Sequence, residues 1–218
     1  MTPTELFAAI PRLLAKDRIP VIEGWATVEK AFDLAASILT IRPKVVVEIG
    51  VFGGASLIPM ALALRTTGQG QVIGIDPWDK AESVKGMLGK DLEWWGNLDH
   101  AVIERGFMDA VIAEGVSNQV VVLKQTSDAV KPPEVIDVLH CDGNHGDQAF
   151  RDIKRFTPKI RVGGLAFLDD LGWSGGAVGK GAEWMLQSGF VKLYDRDTGA
   201  MFQRISVPVN KGGRPRKK

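Results

Sequence analysis

The chain has 218 residues, 45% of them hydrophobic, and one cysteine, Cys141. That length suits one sizeable core in a single domain, a lone cysteine rules out an intrachain disulfide, and the simplest compartment is a reducing, cytoplasmic one. Formal net charge is +1, but five basic residues fall within the last eight positions, so the rest is mildly acidic and offers no basic face for nucleic acid.

The N-terminal MTPTELFAAIPRLL has an early acid and no basic region leading into a long apolar run, so it reads as a short amphipathic helix, not a signal peptide. Apolar spacing predicts helices over Thr4 to Lys16 and Ala26 to Leu39, a helical cap covering residues 1–43. Lys44 to Ile49 is then a β-branched strand buried on both faces, broken by a glycine-rich loop. Further along, the spacing predicts helices over Ala55 to Leu64, Leu98 to Glu114, Asp147 to Phe156 and about Gly179 to Gln187. Strands are predicted over Gln71 to Asp76, Val120 to Lys124, Ile136 to Cys141 and Gly164 to Leu168. Two last strands, Phe190 to Tyr194 and Ala200 to Ser206, are spaced to pair as a hairpin. The alternation predicts a doubly wound, mostly parallel seven-stranded α/β sheet over residues 44–207, with an antiparallel C-terminal hairpin. Residues 208–218 read as a disordered basic tail.

In such a sheet, ligands bind beyond the carboxyl ends of the strands. The loop after the first strand, Glu48-Ile-Gly-Val-Phe-Gly-Gly-Ala-Ser56, lacks the G-x-G-x-x-G spacing of a dinucleotide site, and no G-x-x-x-x-G-K-[ST] phosphate loop is present. An acid two residues before the glycines would repel a pyrophosphate and suits a cationic ligand. Asp76, ending the second strand, stands where a carboxylate can accept both hydroxyls of a ribose, although it could also be a turn residue before Pro77.

The run EIGVFGGAS resembles the E-x-G-x-x-x-G-x-S loop of class I S-adenosylmethionine-dependent methyltransferases. The closest pattern is that of small-molecule O-methyltransferases with their macrolide-sugar and cephalosporin-hydroxylase-like relatives. The later run HCDGNHGDQAFRDIKRFTPKIRVGGLAFLDD resembles that group's D-G-x-H, D, P-x-L-x-x-G-G and D-D pattern, with Ile160 for the usual Leu and Gly146 where an aromatic neighbourhood is common. The resemblance implies a Rossmann-like methyltransferase fold with S-adenosylmethionine as cofactor. It places Gly50, Gly54 and Ser56 on the cofactor, with Glu48 organising the loop and Asp76 holding the ribose. Trp78 would cover the adenine or belong to the core, and Ser127 would touch adenine or cap the following short helix.

Asp142, Asp169 and Asp170 follow two strands and should converge at one end of the sheet. Three unpartnered acids would repel one another, and a hard divalent cation, Mg²⁺ best, would relieve this. The resemblance likewise implies a metal gripping a substrate hydroxyl, Asp142 serving both metal and cofactor. The plainer alternative has Asp142 capping a helix and Asp170 bonding within its loop. His145 is placed to deprotonate an acceptor hydroxyl. His100 reads as solvent-facing, and His140 and Cys141 as core. Trp94, Trp95 and Trp173 would shape the acceptor site or simply pack.

The resulting expectation is metal-assisted O-methylation of a small hydroxylated molecule, a sugar or polyketide-type acceptor favoured, by a cytoplasmic enzyme that could be a homo-oligomer. Its rivals are a metal-free methyltransferase acting on nitrogen or a macromolecule, and a non-catalytic nucleic-acid-associated protein using the GRPRKK tail.

Overall fold

The computed structural model describes residues 1–173 and 176–207; the basic tail expected at 208–218 lies outside them. Helices α1 (Pro3–Leu13) and α2 (Val28–Ile41) precede strand β1 (Val45–Ile49), which is followed by α3 (Leu57–Thr67) and β2 (Gln71–Ile75). The segment between β2 and the long helix α6 (His100–Ala113) carries two short helices, α4 (Lys80–Ser83) and α5 (Gly89–Gly96). The remainder is β3 (Val120–Leu123), β4 (Ile136–Cys141), α7 (Asp147–Phe156), β5 (Ile160–Leu168), α8 (Ala177–Gln187), β6 (Phe190–Arg196) and β7 (Gly199–Arg204). Among the described residues, no helix is long and apolar enough to cross a membrane.

The sheet runs β3-β2-β1-β4-β5-β7-β6. Strands β1 to β5 are parallel, and β7 enters antiparallel to β5 and β6 as the expected hairpin. Chain order starts at β1, moves out to β3 and then crosses back to β4, so the switch point lies between β1 and β4. Loops leaving those two strands part there and open a crevice for a ligand.

Helix α3 shows why the layers sit as they do. Its residues Leu57 to Leu64 are all buried, because the helix lies between the sheet and the cap helices α1 and α2. The cap is thus a layer of the domain's own core, in which Leu6, Ile10, Leu34 and Ile38 pack with Leu57 and Met60. Helices α7 and α8 cover the opposite face, where Ile153, Phe156 and Met185 meet Leu139 and Phe202.

Element boundaries follow the sequence pattern with two differences. Strand β5 begins at Ile160, earlier than expected, because the extra residues around Gly163 and Gly164 are absorbed as an irregularity in its pairing with β4. Gly163 takes φ +81° there, and a Cβ on Gly164 would meet the Asp137 carbonyl at 2.7 Å. The insertion from Trp78 to Leu98 folds as α4 and α5, whose few residues give too short a periodicity to recognise.

Candidate active site

Four loops leave the sheet in register. The amide of Gly50 donates to Ile75, that of Asp76 to Leu123, that of Asp142 to Ile49, and that of Asp169 to Cys141. Each strand is therefore prolonged by one backbone bond to its neighbour, and Asp76, Gly50, Asp142 and Asp169 stand in a row at the carboxyl edge. Parallel pairing makes the row: residues that end adjacent strands in register must be neighbours.

Asp76 is engaged with the glycine loop. Its Oδ2 accepts from the amides of Val51 (3.0 Å) and Phe52 (2.9 Å), and its Oδ1 from that of Trp78 (2.8 Å). Burial raises its pKa despite these donors. With two lone-pair sites per oxygen, Oδ1 retains room for one more donor, so one ribose hydroxyl, not two, could be met without breaking the loop's own bonds. Trp78 is 5% exposed, stacks at 5.6 Å on Phe107 and donates from Nε1 to the Phe52 carbonyl, which makes it a core ring under the loop. Ser127 is also turned inward: its hydroxyl donates to Asp152 and accepts from Gln148, and no side chain caps its short turn.

Gly50 and Gly54 both take φ +87°, in the region that glycine tolerates best. What they make room for is the chain itself: a Cβ on Gly50 would strike the Asp142 and Gly143 backbone, and one on Gly54 would strike Phe107 at 2.6 Å. Glu48 is fully buried in β1, opposite His140 of β4 in register. One of its oxygens, Oε1, accepts from Ser56, which immediately precedes α3, and lies 2.7 Å from His140 Nδ1. The other, Oε2, has no partner among the described residues. An orphaned buried carboxylate oxygen under the loop fits a cofactor that carries an ammonium group.

The three aspartates expected to share a metal do not gather into one ligand sphere. The donor sets that lie within 4.8 Å of one another are His140, Asp142 and Asp169 on the inside, and Asp142, His145 and Asp170 on the outside. Two local causes separate Asp169 from Asp170. Asp170 has left-handed backbone, φ +53°, which sends consecutive side chains different ways, and Asp169 is drawn inward by partners the sequence did not reveal. Lys30 Nζ lies 2.5 Å from Asp169 Oδ2 and 3.4 Å from Asp142 Oδ2, and His140 Nε2 lies 3.3 Å from Asp169 Oδ2. The premise of unpartnered acids is thereby corrected.

Burial alone would depress the pKa of His140, yet its bonds to Asp169 and Glu48 outweigh this and push it up to about 9. Lys30 is likewise held charged by Asp142 and Asp169 against its burial. Asp169 is lowered because His140 and Lys30 overcome its desolvation, while burial and the Asp169 charge raise Asp142. A divalent cation does not fit the inner set, since both Oδ2 atoms it would use already face an ammonium.

His145 sits outside this cluster. Its Nε2 is 3.1 Å from Asp170 Oδ2, and its ring lies 4.9 Å from that of Trp173. It lines a cavity of about 220 Å³ with Lys85, Met87, Asp91, Asn144 and Trp173. Burial lowers its pKa, which keeps the imidazole neutral and able to take a proton. Trp94 and Trp95 instead cluster with Trp25 and with Phe52 of the glycine loop, ring centroids 5.1 to 5.6 Å apart. His100, expected at the surface, is 8% exposed with Nε2 3.0 Å from the Ser83 hydroxyl, because the unforeseen α4 covers it. His140 and Cys141 are buried, as their strand pattern implied.

A Rossmann-like sheet with a glycine loop at the switch point and acids along its carboxyl edge defines the class I methyltransferase architecture. A family model described as a methyltransferase domain matches residues 47–171, more than half the chain, and the protein belongs to that family. No curated protein sequence matches. Among solved structures, the O-methyltransferase NovP is similar at 15% identity, over 93% of this chain and 99% of that one, with a TM-score of 0.70. The O-methyltransferase TomG from Streptomyces achromogenes, involved in tomaymycin synthesis and solved with SAM, is 13% identical over 93% and 90% of the two chains, TM-score 0.60. An O-methyltransferase from Bacillus cereus, solved with SAH, is 14% identical over 93% and 91%, TM-score 0.60. At such identities the likeness is one of fold.

Proposed function

We propose that this methyltransferase uses S-adenosylmethionine to methylate a hydroxyl of a small molecule, a sugar or polyketide-type acceptor being favoured. The observation that carries the reading is the imidazole of His145, its pKa lowered by burial, standing on the wall of a cavity beside the carboxyl edge of a methyltransferase sheet. Fold neighbours that are O-methyltransferases, two of them solved with SAM or SAH, support the transferred group and the cofactor. The single cysteine fits a cytoplasmic setting.

When bound, S-adenosylmethionine supplies a methyl group made electrophilic by its sulfonium. The glycine loop, steadied by Asp76 and Glu48, would seat its methionine portion, with the buried Glu48 Oε2 placing an unpaired negative charge beneath the ammonium and Asp76 Oδ1 able to accept from a ribose hydroxyl. Asp170 beside Nε2 of His145 favours a proton on that nitrogen, leaving the Nδ1 lone pair to accept the proton of the acceptor hydroxyl. Trp173 and residues of the Lys85 to Asp91 segment line the cavity in which that step would take place. A divalent cation retains one possible place, the outer set of Asp142, His145 and Asp170. A neutral imidazole has one free lone pair, so a cation there would consume the base, and the reading is therefore carried without one.

Isothermal titration with S-adenosylmethionine and its demethylated product, then incubation of the enzyme with methyl-labelled cofactor and a panel of hydroxylated metabolites, tests the proposal. Micromolar binding and label on a hydroxyl oxygen are expected. Label on nitrogen or on a macromolecule would replace the acceptor class.

A further inference from the structure

Lys30 occupies an unfavourable place for a cation. It lies in the first turn of α2, its amide donating to the Thr27 cap, where the helix dipole is positive, and its side chain is buried. A lysine in the first turn of a surface helix would ordinarily extend into water. This one runs under the sheet edge and ends between two carboxylates that are 112 and 139 residues away in sequence.

The atoms it meets matter. Nζ faces Oδ2 of Asp169 at 2.5 Å and Oδ2 of Asp142 at 3.4 Å, so one ammonium serves both acids. A Mg²⁺ ion ligated by the same two oxygens at about 2.1 Å would have to share that space with the ammonium, at a separation where like charges repel strongly. Asp169 has no spare orientation to offer, because His140 holds the same Oδ2 and Thr198 donates to Oδ1.

We propose that Lys30 is the fixed counter-ion of this site: its ammonium stands between Asp142 and Asp169 in place of a divalent cation, and methyl transfer proceeds without added metal. The second half rests on the methyltransferase reading above; the first rests on the ion geometry alone. Lys30 acts here as a positioning residue, since its charge sets where the Asp142 carboxylate lies at the crevice while its own Nζ is buried.

Mn²⁺ is the probe, followed by electron paramagnetic resonance on the full chain, an experiment that needs no acceptor. In an Asp170→Asn background, which removes the outer donor set, the chain with Lys30 intact should bind no stoichiometric Mn²⁺. Lys30→Met keeps the length of the side chain and removes its charge, leaving the Asp142 and Asp169 carboxylates without their ammonium, and should bind Mn²⁺ at least about tenfold more tightly than the parent. Lys30→Met combined with Asp169→Asn should lose that gain while restoring the charge balance, with circular dichroism reporting the fold. One tightly bound Mn²⁺ per Asp170→Asn chain, no tighter once Lys30→Met is added, would overturn the assignment. Should Lys30→Met fail to fold, one tight Mn²⁺ in the chain with Lys30 intact that survives Asp170→Asn, and so lies outside the outer set, would overturn the assignment. Turnover of the parent should be unchanged in excess EDTA, and loss of turnover that Mg²⁺ restores would overturn the metal-free half. Failure of the methyltransferase reading would show separately, as absence of S-adenosylmethionine binding.

Discussion

Gly50→Ala isolates how the glycine loop and the Asp142 loop fit together. At φ +87° an added Cβ carries the left-handed penalty of about 1 to 2 kcal/mol. It also meets the Asp142 carbonyl, with the carbonyl carbon at 2.6 Å and Gly143 Cα at 2.7 Å. These are backbone atoms, unable to swing aside like a flexible side chain, and overpacking of this kind adds about 1 to 3 kcal/mol. The sum, roughly 2 to 5 kcal/mol, corresponds to a drop in melting temperature of about 5 to 20 °C for a domain of this size. Gly68→Ala is the control, because Gly68 has φ +73° with nothing within 4 Å of its Cβ position and should lose only the conformational part, about 1 to 2 kcal/mol. Urea unfolding of the two variants beside the parent measures the difference directly. Gly50→Ala should also weaken S-adenosylmethionine binding, since relief of the clash pushes the β1 and β4 loops apart. Equal destabilisation by the two substitutions would refute the close packing of those loops.

Asp76→Ala should destabilise the fold by at least about 3 kcal/mol in urea melts as well as weakening cofactor binding, because three loop amides lose their acceptor. His145→Ala should lower kcat by about 100-fold while KM and cofactor affinity change little, and an unchanged rate in a stopped-time methylation assay would move the base elsewhere. Asp152, 2% exposed, has its pKa raised by burial from 3.8 to about 6. The folded state thus favours its protonated form, a stabilisation present below pH 3.8 and lost as pH rises through about 6. Relative to Asp152→Asn, the parent should lose about 3 kcal/mol across that window and run parallel above it, and parallel curves throughout would show the group unperturbed. Removing residues 208–218 should leave melting temperature and cofactor affinity unchanged, whereas salt-sensitive DNA binding that vanishes with them would favour a nucleic-acid role.

The architecture was legible because it rests on local signals repeated along the chain. The Val-Val-Val run before the glycines and the alternation of buried strands with amphipathic helices together require a parallel sheet. That requirement in turn aligns Asp76, Asp142 and Asp169 at one edge. The loop motif, read with the second acidic block, pointed to the methyltransferase family for the same reason: loop residues follow strands at fixed offsets.

What the sequence could not carry was which charges meet. Lys30 looks like any solvated lysine on an amphipathic helix, and its partners are more than a hundred positions away. Spacing predicted convergence of three acids but said nothing of the left-handed turn at Asp170 that separates it from Asp169. His100 lost its expected exposure to a four-residue helix too short to leave a periodic trace. Periodicity reports the direction each side chain leaves its own element. The identity of the group waiting there is decided when elements distant in sequence pack together, and at this site that packing set a buried ammonium between two carboxylates.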